Sequence, residues 1–165
     1  MVDSSNTNIP LGWKFDHLGM VVKKLDKAHA VLSETLGITN WTPPITDPVN
    51  GVHLQFGCDR SGMVYELLQP IDKNSPVFAA LTSGHGILNH VAYLVAGLEA
   101  GAEHLLRCDS VPTGPPNVAI AYGGARIQFF VTPLNFIIEL IEAPHHSHIY
   151  DRVSTVAATH SGKTA

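Results

Sequence analysis

ILNHVAYLV (87–95) reads as a second version of KFDHLGMVV (14–22): each is a short run of apolar and β-branched residues interrupted by one histidine. A helical pattern follows each run. KAHAVLSETL is amphipathic, with Asp26 as its expected cap and Gly37 as its stop, and LEAGAEHLL takes the same place in the second half. Beyond the helices, VHLQF (52–56) and MVYELLQ (63–69), the latter ended by Pro70, read as strands. In the second half AIAY, RIQFFV and FIIELIE read the same way. The order in both halves is βαβββ, which places the chain in the α+β class.

The two halves keep register over their whole length. His17 and His90, Val22 and Val95, Leu25 and Leu98, and Leu32 and Leu105 all stand 73 positions apart. At the far ends YELLQP (65–70) and IELIEAP (138–144) look alike, and Glu66 and Glu139 are again separated by 73. Insertions shift helices and strands independently, so one constant offset at both ends points to a duplicated unit whose ends must meet in space. The expected organisation is a flexible N-terminus (1–12), a first βαβββ module (13–72), a connecting helix and loop (73–86), a second module (87–144) and a flexible tail (145–165).

Composition narrows the partners. With 165 residues, 45% of them hydrophobic, the chain can bury a full core, and a net charge of -4 from 10 basic and 14 acidic residues leaves no electrostatic footprint for nucleic acid or an anionic membrane. No run approaches the roughly 18 apolar residues of a membrane span, and MVDSSNTNIP lacks the regions of a signal peptide, so a cytoplasmic protein is expected. Cys58 and Cys108 form no CxxC pair and read as small, mostly buried side chains.

A single histidine on an apolar strand is most often a core residue. Two histidines on the first strands and two glutamates on the last, in matched positions, reverse that expectation. His17, Glu66, His90 and Glu139 make a mixed N/O donor set suited to one divalent transition metal: Zn, Ni, Co, Mn or Fe(II). Strand alternation sends His17 to one face with Phe15 and Gly19, and Glu139 with Ile137 and Ile141, so all four can point into one curved sheet. Two buried carboxylates repel each other unless a cation lies between them. Four protein ligands leave two positions of an octahedral ion open, and an open Lewis acid suits proton abstraction next to a carbonyl.

These residues resemble the vicinal oxygen chelate (glyoxalase/bleomycin resistance/dioxygenase) superfamily, and within it the methylmalonyl-CoA epimerase-like branch. The resemblance spans residues 14–144 and is carried by DHLGMVVKKLDKA, YELLQPIDKNSPVFAALTSGHGILNHVAYLV and GGARIQFFVTPLNFIIELIE. It implies two βαβββ modules forming a cupped, partly open mixed β-sheet barrel around one metal, commonly in a homodimer, with His17, Glu66, His90 and Glu139 at the ligand positions. Epimerases often carry Gln at the second position, and Glu66 is closer to the two-His, two-Glu set of glyoxalase I. The Arg that glyoxalase I places just after its first ligand is missing, since Leu18, Gly19 and Met20 follow His17. In the family Glu139 would be a base as well as a ligand. Counting from Gly51 puts the position of the family's second base on Leu54, which has no proton-accepting group, with His53 and Gln55 beside it; a one-residue slip makes His53 the candidate catalytic group, and without it the site has one base.

The expected partner is a small-molecule carbonyl substrate. The loops facing the cup offer few basic residues beyond Lys73 and Arg126, which suits a smaller, more apolar, polyketide-type compound better than CoA. Tyr122, Phe129, Phe130, Met63 and Tyr65 either line an aromatic pocket or belong to the core. PHHSH (144–148) reads as a solvated run, Gly123-Gly124 as a hairpin turn, and His85 as a residue near the cup mouth. Three functions stay open: a metal-dependent isomerase or epimerase, an extradiol-type dioxygenase or glyoxalase-type lyase, and a non-catalytic binding or resistance protein.

Overall fold

A computed structural model describes residues 12–82 and 88–143. His85 and the PHHSH run lie outside them. The first half contains β1 (Lys14–Val21), α1 (Leu25–Leu36), β2 (Asn40–Trp41), β3 (Ile45–Asp47), β4 (Val52–Cys58) and β5 (Val64–Pro70). A short helix, α2 (Phe78–Thr82), leads to the second half. There β6 (Leu88–Val95), α3 (Leu98–Arg107), β7 (Val111–Pro112), β8 (Asn117–Ala119), a 3-10 turn (Ile120–Tyr122), β9 (Ala125–Val131) and β10 (Ile137–Glu142) follow.

The strands form one mixed sheet in the order β2-β4-β5-β1-β6-β10-β9-β7, with β3 on β4 and β8 on β9. Each first strand runs parallel to the last strand of its own half, β1 with β5 and β6 with β10, and the halves join through antiparallel β1 and β6. All four segments that carry His17, Glu66, His90 and Glu139 are therefore neighbours at the centre of the sheet. The far edges meet as well: Asn50 Nδ2 donates to the Val118 carbonyl at 2.9 Å, and the Ile120 N–H donates to Asp47 Oδ2 at 3.2 Å. These bonds close the curled sheet into a cup.

Inside and outside follow strand periodicity. Val52, Leu54, Phe56, Ile127 and Ile141 belong to the inner core, whereas Phe130 and Leu140 pack with Leu98 and Leu105 of α3 on the outer face. Gly101 lets α3 approach that closely, because a Cβ there would stand 2.8 Å from Leu140 Cδ1. α1 buries no residue fully and is held more loosely.

Three expectations change. Asp26 does not cap α1, which begins one residue earlier; the Leu25 N–H is satisfied from the sheet by Gln69 Oε1 at 2.9 Å. The second half repeats the device, with the Leu98 N–H donating to Glu142 Oε1 at 3.1 Å. AIAY is not a strand throughout: pairing with β9 ends at Ala119, and the chain turns through Gly123 and Gly124, at φ 65° and 85°, into β9. Of the cysteines, Cys58 is half-buried and Cys108 is exposed at the end of α3.

Candidate metal centre

The two histidines reach the interior through backbone irregularities. Along β1 and β6 the register slips between Phe15 and Leu18, and again between Gly19 and Met20. The first slip gives β1 one extra residue at Asp16-His17, and the second gives β6 one at Asn89-His90. A bulge re-aims side chains that strict alternation would send to opposite faces. Asp16 and His17 are thus both buried, although adjacent in a strand. Gly19 is needed in the same region: a Cβ there would overlap the His90 ring.

His17, Glu66, His90 and Glu139 converge, each offering one ligand atom, with all four atoms within 4.8 Å of one another. His17 Nε2 lies 3.1 Å from His90 Nε2, 3.2 Å from Glu66 Oε2 and 3.4 Å from Glu139 Oε2. His90 Nε2 lies 3.4 Å from Glu66 Oε2 and 3.1 Å from Glu139 Oε2. The residues are 0% (His17), 3% (His90), 4% (Glu139) and 6% (Glu66) exposed, so water does little to separate the charges.

A second layer fixes the imidazole orientation. His17 Nδ1 donates to Asp16 Oδ2 at 2.8 Å, and the Tyr122 hydroxyl donates to the same oxygen at 2.5 Å. His90 Nδ1 donates to Asn89 Oδ1 at 3.0 Å. With both Nδ1 atoms acting as donors, neutral rings direct both Nε2 lone pairs at each other and at two carboxylate oxygens. Glu139 Oε2 is buried and, with both Nε2 atoms unprotonated, has no hydrogen-bond donor among the described residues.

Such a set needs a positive charge at its centre, since a buried charge without a partner costs several kcal/mol. Protons or a metal can supply it. With protons alone, burial opposes charge on His17, but Glu66 and the bonds to Asp16 and Glu139 outweigh it and hold its pKa well above the ordinary value. His90 is raised likewise, its burial being overcome mainly by Glu139 and Glu66. Glu66, despite burial, is drawn down to about 2 by His17 and His90. A metal fits the spacing directly: ligands about 2.1 Å from one ion and about 90–109° apart stand roughly 3.0–3.4 Å from each other. Five separations among these atoms, 3.1–3.4 Å, fall in that range.

Glu66, His90 and Glu139 form part of the wall of a cavity of about 400 Å3. The rest is largely apolar, including Val52, Leu54, Leu68, Ile127 and Phe129, with Tyr122 beside the metal-type cluster. His53 is not brought there. β4 turns Val52, Leu54 and Phe56 inward, so His53 faces outward, where its Nδ1 meets the Thr46 hydroxyl at 2.9 Å. Phe130, one residue from Phe129, belongs to the outer core for the same reason. The Tyr65 hydroxyl donates to Asp59, and Met63 is exposed. Arg126 faces away from the cup and is forked between Glu99 and Glu142. Lys73 does not line the cavity.

Sequence reading missed Asp16 and the hydroxyl role of Tyr122. The DH and NH pairs were visible, but which of two adjacent residues faces inward depends on bulges that only strand pairing reveals. Tyr122 lies 106 positions from Asp16, and no local pattern connects them.

Residues 16–129 match a family described as the Glyoxalase/Bleomycin resistance protein/Dioxygenase superfamily. Curated proteins give no match. Among solved structures, a hypothetical protein from Bacillus halodurans superposes with a TM-score of 0.69 at 19% identity, covering 82% of this chain and 97% of its own. Methylmalonyl-CoA epimerase from Mycobacterium tuberculosis gives 0.64 at 22% identity, covering 77% and 85%. A Streptomyces coelicolor methylmalonyl-CoA epimerase variant in complex with 2-nitronate-propionyl-CoA gives 0.64 at 20%, covering 78% and 95%. At these identities the likeness is one of fold.

Proposed function

The chain belongs to the glyoxalase/bleomycin resistance protein/dioxygenase superfamily, and on that premise we propose that it is a divalent-metal-dependent isomerase or epimerase that removes a proton from a carbon next to a carbonyl. The observation that carries this reading is the convergence of two imidazole nitrogens and two carboxylate oxygens, all within 4.8 Å of one another, in the wall of a largely apolar cavity. When bound by His17, Glu66, His90 and Glu139, a divalent ion would supply Lewis-acid polarisation of the carbonyl oxygen.

Each residue then has a defined task. Glu139 accepts the proton through the carboxylate oxygen that the ion does not engage, since a carboxylate offers two. Glu66, as a ligand, would be kept ionised by the bound ion and so does not compete for that proton. Asp16 fixes the His17 tautomer, and Asn89 fixes that of His90. The apolar wall excludes water from the reacting carbon, which strengthens the electrostatic interactions there.

Epimerisation needs a proton donor on the opposite face. His53 faces out, and Asp47, another carboxylate in the wall, accepts bonds from the Asn50 N–H, Asn50 Nδ2 and the Ile120 N–H. This favours the isomerase form, in which Glu139 takes and returns the proton on one face. The reading includes a homodimer in the cytoplasm, which sedimentation and fractionation would test.

The direct test is solvent deuterium exchange into carbonyl compounds by metal-loaded protein. Exchange above the buffer rate, lost by at least a hundredfold in Glu139→Gln while most of the metal is retained, is expected. Equal loss of metal and exchange in that variant would contradict the base role, and no exchange with any carbonyl probe would remove the enzyme reading.

A further inference from the structure

The cavity wall has an unbalanced charge. Asp47, Glu66 and Glu139 contribute to it, and Asp16 is buried just behind His17. Among the described residues no Lys or Arg lines the cavity. Two arginines are committed elsewhere: Arg126 to Glu99 and Glu142, and Arg107 to Glu103. A divalent ion would offset two negative charges and still leave Asp47 uncompensated by any cation in the wall.

Resting on the proton-abstraction reading, we infer that the substrate is an uncharged, largely apolar carbonyl compound and not an anionic acyl-CoA. A carboxylate or phosphate entering this cavity would lose its water and, beyond an ion already offset by Glu66 and Glu139, find no guanidinium or ammonium in exchange, while facing the Asp47 carboxylate. A neutral ketone, ester or thioester meets neither obstacle. Its carbonyl goes to the Glu66, His90 and Glu139 side, and its body lies against Val52, Leu54, Leu68, Ile127 and Phe129. About 400 Å3 holds roughly 20 non-hydrogen atoms at protein-like packing, enough for such a compound. The fold is that of the epimerases, but among the described residues the lining holds no Lys or Arg to pair with a malonyl-type carboxylate.

The test compares isosteric probes on the full zinc-loaded chain. The N-acetylcysteamine thioester of methylacetoacetate is neutral; that of methylmalonate has the same shape with a carboxylate in place of the acetyl group. Methylmalonyl-CoA is the third probe. Affinity is read by calorimetry, and exchange of the proton between the two carbonyl groups by NMR in deuterium oxide, each against metal-free protein. Binding of the neutral thioester at least tenfold tighter than either anion, with exchange above the buffer rate, is expected. Equal or tighter binding of an anionic probe, or no binding of the neutral one, overturns the substrate class whatever the exchange shows. Preferential binding of the neutral probe without exchange of any of the three leaves the substrate class standing and removes the proton-abstraction reading.

Discussion

Asp16 and Asn89 occupy equivalent positions in the two halves, yet one gives its neighbouring histidine a carboxylate and the other an amide. A carboxylate makes the imidazole a stronger electron donor, so the two nitrogen ligands are unequal. Asp16→Asn should lower zinc affinity by about 10–100-fold in a chelator competition; an unchanged affinity would show that the Asp16 bond is only packing. Protons compete for the same atoms. The raised imidazole pKa values make their contribution to metal-free stability fully present below about 6.5 and lost as pH rises through the raised values. Glu66 has the opposite sign: its contribution holds above the ordinary carboxylate range and fades as pH falls toward about 2. Metal must displace the imidazole protons, so apparent affinity should fall as pH drops below the raised values, with protons released on binding. Calorimetry in buffers of different ionisation heat measures that release, and zero proton release near neutral pH would contradict the raised values. The four donor residues were legible because residue type and a 73-residue offset suffice to pick them out. Their hydrogen-bonding neighbours were not, because a bulge and a tyrosine from the other half decide them.

At the scale of elements, the repeat runs deeper than the metal-type residues. Gln69 and Glu142, each three residues beyond the glutamate of its strand, accept the first N–H of α1 and α3. The signal was present in YELLQP and IELIEAP, but a local cap at Asp26 was the nearer explanation and hid it. Removing such a cap costs about 1 kcal/mol. Gln69→Ala should lose about that much in urea unfolding, and Glu142→Ala more, because Glu142 also anchors Arg126. Equal stability of both variants with the parent would mean that water satisfies the helix ends equally well. Strands read from alternation were placed well, whereas AIAY failed because three of its four residues form a turn that β9 does not pair.

For the whole molecule, the centre of the sheet brings the four donors together, and its joined edges form the cavity above them. The α+β class and the paired modules follow from sequence order alone, since the same succession of patterns occurs twice. Closure of the cup does not, because it rests on Asp47, Asn50, Val118 and Ile120, whose contacts cross between the halves. Metal binding should stabilise the whole fold, by about 2.7 kcal/mol at a free concentration a hundred times the dissociation constant. The most direct test of this account is the metal content of protein purified without an affinity tag, measured by plasma mass spectrometry for the native chain and for His90→Ala. About one equivalent of a divalent transition metal in the native chain, largely lost in the variant, is the predicted result for a four-ligand site. A native chain that stays metal-free after reconstitution with Zn, Ni, Co, Mn and Fe(II) would contradict it and leave a ligand-binding cup without metal chemistry.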